Sequence, residues 1–254
     1  MAFLDVHCYS ETLAMSVSFY VLLPEGPVRP PYPTLYLLHG LSDDHTIWLR
    51  RTSIERYAAA RNLAVVMPAV ARSFYQDMAS GLRCWTFLSE ELPTLCRQWF
   101  PLSEDREDNF AAGLSMGGYG ALRLALARPD RFAAAASLSG ALDLARRLRE
   151  AGKEGSLVSR GEWEGMFGRE LASGGTDCDL FALARKVSES KGPKPKLFLC
   201  CGTEDPLLEE NRAFRKHLDA VKLPNTYEES PGQHDWGYWD SQIQRVLDWL
   251  PLDH

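Results

Sequence analysis

The chain has 254 residues and a mass of 28.5 kDa, with 45% hydrophobic residues, enough for one large globular domain with a sizeable core. A formal net charge of −6 excludes a basic nucleic-acid surface, and no run of about 18 apolar residues is present to span a membrane. The six cysteines form no C-x-x-C pair and the six histidines do not cluster, so neither a disulfide framework nor a metal site is expected.

Met1 to His7 lacks a basic stretch followed by an apolar block, so no secretory signal is read there and a cytoplasmic location with reduced thiols is expected. Alternation over Met15–Leu23 predicts a half-exposed antiparallel strand near a sheet edge. A proline-rich loop follows from Pro24 to Pro33. Thr34–His39 is a continuous apolar run, as a central parallel strand requires, and it ends at Gly40 before a polar loop. Thr52-Ser53-Ile54-Glu55 has capping-box spacing and predicts a helix reaching Arg61. Leu63–Met67 is the next strand, closed by Pro68. Leu88, Leu92, Leu95 and Trp99 have helical spacing within Trp85–Trp99, where Pro93 predicts a kink or restart.

Asn109–Leu114 reads as a short buried strand, Gly117–Arg128 as a helix stopped at Pro129, and Phe132–Leu138 as a further strand. The segment from about Ala141 to Pro195 breaks this rhythm. It is too long for a plain loop and predicts a small helical insertion over one end of the sheet. Strands at Lys196–Cys201 and Asn225–Glu229 alternate with helices at Leu207–Val221 and Trp236–Leu250. The expected fold class is α/β: one domain over residues 1–254, with a mainly parallel sheet, helices on both faces, and a cap-like insertion at about 141–195.

Gly113-Leu114-Ser115-Met116-Gly117 fits the G-x-S-x-G nucleophile elbow and falls on a predicted strand-to-helix turn. Any side chain at Gly113 or Gly117 would crowd the backbone of so tight a turn. A serine hydroxyl needs a base, and the base needs an orienting acid. Asp205 follows one strand and His234 follows the last, so Ser115, Asp205 and His234 occur in α/β-hydrolase order, each beyond the carboxyl end of a strand. Glu204 competes for the acid role, and Asp235 is too close to His234 in sequence to reach its Nδ1 naturally. The oxyanion of acyl transfer requires main-chain donors. Met116 supplies one at the helix start, and Leu41, in the loop after Thr34–His39, is the candidate for the other. His39 reads as a residue bracing that loop. Trp48, Tyr75, Trp85 and Trp236 are candidates for lining a substrate pocket, with core packing the alternative for each. Trp163, Met166 and Phe167 are expected at the pocket rim.

Leu37-Leu38-His39-Gly40-Leu41-Ser42, Glu91-Leu92-Pro93, the run Ala112–Leu122, Gly202-Thr203-Glu204-Asp205 and His234-Asp235-Trp236 resemble the esterase D-like family, in particular its tributyrin esterase or acetyl esterase branch. The resemblance covers nearly the whole chain. It implies an α/β-hydrolase fold, a Ser115–Asp205–His234 triad, an oxyanion hole from Leu41 and Met116, and hydrolysis of short acyl esters, acetylated sugars among them, without a cofactor. The S-formylglutathione hydrolase branch shares the triad. It usually carries Leu-Thr-Cys where this chain has Leu41-Ser42-Asp43, and a histidine where Tyr119 stands. No basic cluster flanks the motifs to grip the glutathione carboxylates. The expected partner is thus a small acyl ester, with no nucleic acid and no membrane. A homo-oligomer is left open, as is a non-catalytic binding protein on the same fold, although a scaffold needs none of the three triad residues.

Overall fold

The computed structural model describes residues 1–27, 29–153, 156–169 and 177–252. Eight strands form one sheet: β1 (Ala2–Ser10), β2 (Met15–Leu23), β3 (Thr34–Leu38), β4 (Ala64–Pro68), β5 (Asn109–Leu114), β6 (Ala134–Leu138), β7 (Lys196–Gly202) and β8 (Asn225–Ser230). Their spatial order is β1-β2-β4-β3-β5-β6-β7-β8. β2 runs antiparallel to both neighbours, and every pairing from β4 to β8 is parallel.

Strands β3, β4, β5 and β6 are buried along their whole length, because helices cover both faces of a parallel sheet. Successive side chains serve opposite cores. Tyr36, Leu38, Ala64, Val66 and Ala111 pack into one, with the helix Met116–Ala127. Leu35, Leu37, Val65, Met67, Phe110 and Ala112 pack into the other, with Ile243, Val246 and Leu247 of the helix Trp236–Trp249.

Three local features add to the expected elements or depart from them. The N-terminal residues form the edge strand β1, with Leu4, Val6 and Cys8 packed against the core and Phe3, Asp5, His7 and Tyr9 exposed, so Met15–Leu23 lies second from the edge. No capping box forms at Thr52. Its hydroxyl accepts from Ile54 N–H at 3.1 Å in a local turn, and Ser53 begins the helix Ile54–Ala59 without a side-chain cap. The helix restarts at Pro93, as the sequence allows, and widens just before it. Pro93 has no N–H for the Ser89 carbonyl, so a π-helical turn, Phe87–Glu91, precedes the α-helix Leu92–Trp99. The freed carbonyl accepts from Arg131 Nη1 at 2.9 Å.

The segment after β6 carries the helices Leu144–Arg149, Arg160–Phe167 and Leu180–Glu189, and its residues 154–155 and 170–176 lie outside the described residues. Tyr119 Oη donates to the Cys178 carbonyl at 2.7 Å and Arg123 Nε to the Asp177 carbonyl at 3.1 Å. Arg72 Nη2 donates to the Leu157 carbonyl at 2.8 Å, and the N–H groups of Ala79 and Ser80 donate to the carbonyls of Met166 and Gly165.

Candidate active site

Ser115 is the turn residue between β5 and the helix Met116–Ala127, with φ 53° and ψ −117°. That conformation is costly for a residue with a side chain and is held by its surroundings. Ser115 N–H donates to the Leu138 carbonyl at 2.9 Å, and its own carbonyl accepts from Ala141 N–H at 3.0 Å. A Cβ at Gly117 would lie 2.4 Å from the Leu38 carbonyl oxygen, and one at Gly113 2.5 Å from the Gly117 backbone. Only glycine lets helix and strand approach this closely.

The three side chains picked out by chain order meet here. His234 Nε2 lies 3.0 Å from Ser115 Oγ, and His234 Nδ1 lies 2.8 Å from Asp205 Oδ2. Asp205 Oδ1 also accepts from Leu207 N–H at 2.7 Å, and its side chain is fully buried. Burial pushes the Asp205 carboxyl up, but the hydrogen bonds from His234 and Leu207 outweigh it and hold the group below the ordinary carboxylate range. An ionised Asp205 keeps the proton on His234 Nδ1, leaving Nε2 free to accept from the serine hydroxyl.

The alternatives for the acid do other work. Exposed Glu204 accepts from Thr203 Oγ1 at 2.7 Å and from Gly232 N–H at 2.6 Å, bracing the loop that carries His234 against the one that carries Asp205. The two loops touch closely: a Cβ at Gly202 would fall 2.2 Å from the Gly232 carbonyl oxygen. Asp235 caps the helix Trp236–Trp249 by accepting from Tyr238 N–H. Trp239 packs edge-on against the His234 ring, with centroids 4.8 Å apart, and fixes the plane of the imidazole.

A cavity of about 440 Å³ opens beside Ser115 and His234, and both Leu41 and Met116 line it. Met116 is the first residue of its helix, where no intrahelical carbonyl is available to its N–H and the helix dipole is positive. The Leu41 N–H is aimed indirectly. His39 Nε2 accepts from Val70 N–H at 3.1 Å, so the proton sits on Nδ1, which donates to the Gly40 carbonyl at 2.6 Å. A trans peptide points its C=O and N–H in opposite directions, so anchoring Gly40 O orients the Leu41 N–H. Burial lowers the His39 pKa to about 4, keeping this brace neutral.

The tryptophans need correction, since none of the three lines the cavity. Trp48 is buried, donates Nε1 to the Leu38 carbonyl at 3.0 Å and packs edge-on against half-buried Trp236. Trp85 lies under the Arg123 guanidinium, 3.9 Å from its ring centroid, in a different depression. Tyr75 is a buried brace whose hydroxyl donates to the His39 carbonyl. The apolar wall is made instead by Leu41, Phe74, Met116, Val158 and Trp163, with Phe74 and Trp163 in ring contact at 5.2 Å. Phe74 went unread in the sequence, where its place after the carboxyl end of β4 was the one available signal. Of the three insertion residues expected at the rim, Trp163 reaches the cavity, whereas Met166 lines a separate depression and Phe167 packs on Trp163. The rest of the lining includes a charged and polar wall of Arg147, Glu150, Lys153 and Ser156. Arg147 pairs with Glu210 and Lys153 with Glu150, so the two cations drawn to the cavity are already engaged with carboxylates. Among the described residues no cluster of three histidine, cysteine or acidic side chains could hold a metal ion, and no helix is long and apolar enough to cross a membrane.

The model of the putative esterase family matches residues 10–250. An acetyl esterase of Caldicellulosiruptor saccharolyticus is 31% identical over 262 residues, covering 98% of each chain. Among solved structures, the substrate-bound fluorophosphonate-binding serine hydrolase F of Staphylococcus aureus is 38% identical, with a TM-score of 0.91 over 99% of both chains. An S-formylglutathione hydrolase of Staphylococcus aureus is 36% identical, with a TM-score of 0.87 over 98% of both. The α/β-hydrolase fold expected from the motifs is thereby established.

Proposed function

We propose, for a chain that belongs to the putative esterase family and is a carboxylic ester hydrolase, that Ser115, His234 and Asp205 form its catalytic triad and that its substrates are oxygen esters of short acyl groups, acetyl to butyryl. The observation that carries this reading is the unbroken chain from Asp205 Oδ2 through both His234 nitrogens to Ser115 Oγ, at 2.8 and 3.0 Å, at the wall of a cavity with two main-chain donors. Ser115 Oγ attacks the ester carbonyl while His234 Nε2 takes the hydroxyl proton. The carbonyl oxygen becomes an oxyanion facing the N–H groups of Met116 and Leu41. Collapse expels the alcohol, which receives the proton from His234, and leaves an acyl-enzyme. Water then attacks the acyl-enzyme with the same base. The acyl group lies against Leu41, Phe74, Met116, Val158 and Trp163. The charged wall suits a hydroxyl-rich alcohol such as a sugar.

The similarity to an S-formylglutathione hydrolase supports a second reading, as a thioesterase. The pairing of Arg147 and Lys153 with carboxylates favours a neutral alcohol over glutathione, whose carboxylates need uncommitted cations. Comparing kcat/KM for p-nitrophenyl acetate, an acetylated sugar and S-formylglutathione tests the choice. A value for S-formylglutathione well above both esters promotes the thioesterase, and labelling by a fluorophosphonate that survives loss of Ser115 removes the triad.

A further inference from the structure

Strand β1 is the end of the sheet, and among the described residues nothing pairs with its outer edge. An exposed edge offers unpaired N–H and C=O groups as a template for another strand. Its side chains are not those of a blocked edge. Between Ala2 and Ser10 the strand contains no proline, no lysine and no bulge, and it pairs with β2 in unbroken register over nine residues.

The order of its side chains is close to a palindrome. Turning the strand end over end about Val6 brings residue 3 opposite 9, 5 opposite 7, and 4 opposite 8. Directly opposed residues of an antiparallel pair point to the same face. On the exposed face, Phe3 would meet Tyr9 of a second copy, and Asp5 would meet His7. On the inner face, Leu4 would meet Cys8, and Val6 would meet itself. Phe3 and Tyr9 are 47% and 57% exposed, large apolar groups left in water by the isolated chain. The side chains of Asp5 and His7 are 47% and 68% exposed, and they already reach each other along the strand at 3.2 Å. Aromatic pairs and opposite-charge pairs are the cross-strand contacts that stabilise a sheet.

We infer that two copies of this chain associate through β1 about a two-fold axis at Val6, joining their sheets into one of sixteen strands. The occupant of the edge is a second copy, because the complementarity of ring with ring and of carboxylate with imidazole is of the strand with itself. Such an interface is isologous, so each contact is made twice and the assembly closes at two. Ser115 follows β5, in the middle of the sheet, so the dimer leaves the site of each copy open.

Sedimentation equilibrium and light scattering on the full chain test this. The parent should show twice the 28.5 kDa chain mass at micromolar concentration. Asp5→Lys, which removes the carboxylate acceptor facing His7 of the second copy and puts a donor in its place, should weaken the dimer at least tenfold. Adding His7→Asp should restore it, since the opposed pair is then Lys against Asp. All three proteins should hydrolyse p-nitrophenyl acetate at rates within about twofold, which shows that each is folded. A parent that stays monomeric to about 100 µM overturns the inference. So does a dimer whose affinity is unchanged by Asp5→Lys, or one that the double variant fails to recover.

Discussion

Replacing Asp205 by Asn changes one atom and tests the whole proton path. The Ser139 hydroxyl also acts on this carboxylate, but two donors fix its orientation: Leu207 N–H at 2.7 Å on Oδ1 and His234 Nδ1 at 2.8 Å on Oδ2. The main-chain N–H can only donate, so an Asn must turn its carbonyl oxygen toward Leu207 and its NH₂ toward His234. The imidazole then accepts at Nδ1 and carries its proton on Nε2, which would donate to Ser115 Oγ instead of taking its proton. Flipping the amide does not help, because NH₂ would face N–H in a fully buried position, at a cost of roughly 1–3 kcal/mol. Loss of the correct tautomer in a serine triad lowers kcat by about 10⁴, or ~5.4 kcal/mol of transition-state stabilisation. Steady-state turnover of p-nitrophenyl acetate measures this directly, with Glu204→Gln as control. Glu204 braces the Gly232 N–H and touches neither ring nitrogen of His234, so its variant should lose far less. An Asp205→Asn enzyme within tenfold of the parent, or a more damaged Glu204→Gln, would refute the assignment.

Ser115→Ala should lower kcat by about 10⁶ with the fold intact, whereas Ser115→Gly, equally inactive, should also raise the melting temperature, because glycine relieves a strained φ of 53° worth roughly 1–3 kcal/mol. A Gly variant that melts no higher than the Ala variant would show that the elbow stores no such strain. The folded Asp205 carboxyl titrates below its ordinary value, so its stabilising contribution is complete above the unfolded pKa of ~3.9 and is lost as acid titrates the folded group. Urea melts should therefore separate the parent from Asp205→Asn more at pH 7 than at pH 3, and an equal gap at both would contradict the linkage. Trp163→Ala should raise the butyryl-to-acetyl rate ratio several-fold, since that indole lines the cavity. Phe167→Ala should leave the ratio near its parent value, and a reversed ranking would misplace the acyl wall.

The parallel core was readable because Leu35 to Leu38 and Phe110 to Leu114 are continuous apolar runs, a pattern demanded by burial on both faces. The Ser115, Asp205 and His234 positions were readable because each sits just past a strand, and strand ends converge in a parallel sheet. The cavity wall was not. Trp48 and Trp163 are indistinguishable as letters, and the difference lies in whether a tertiary acceptor such as the Leu38 carbonyl awaits the indole N–H. β1 was not legible because its period-two pattern places polar Asp5 and His7 on an exposed face. The capping-box spacing at Thr52 misled because Ile54 N–H took the hydroxyl first.

The fastening of the segment after β6 has an evolutionary corollary. Tyr119, Arg123 and Arg72 grip it by the carbonyls of Cys178, Asp177 and Leu157, and the Ala79 and Ser80 amides grip those of Met166 and Gly165. Every residue owns a carbonyl, so these handholds survive almost any exchange of side chain on the gripped side. Exchanges at Val158 or Trp163 would thus reshape the cavity lining without touching these hydrogen bonds, subject to repacking against Phe74 and Phe167. The proposed triad and the proposed acyl selectivity can therefore change separately, one held at the strand ends of the sheet and the other set in a segment held by its backbone.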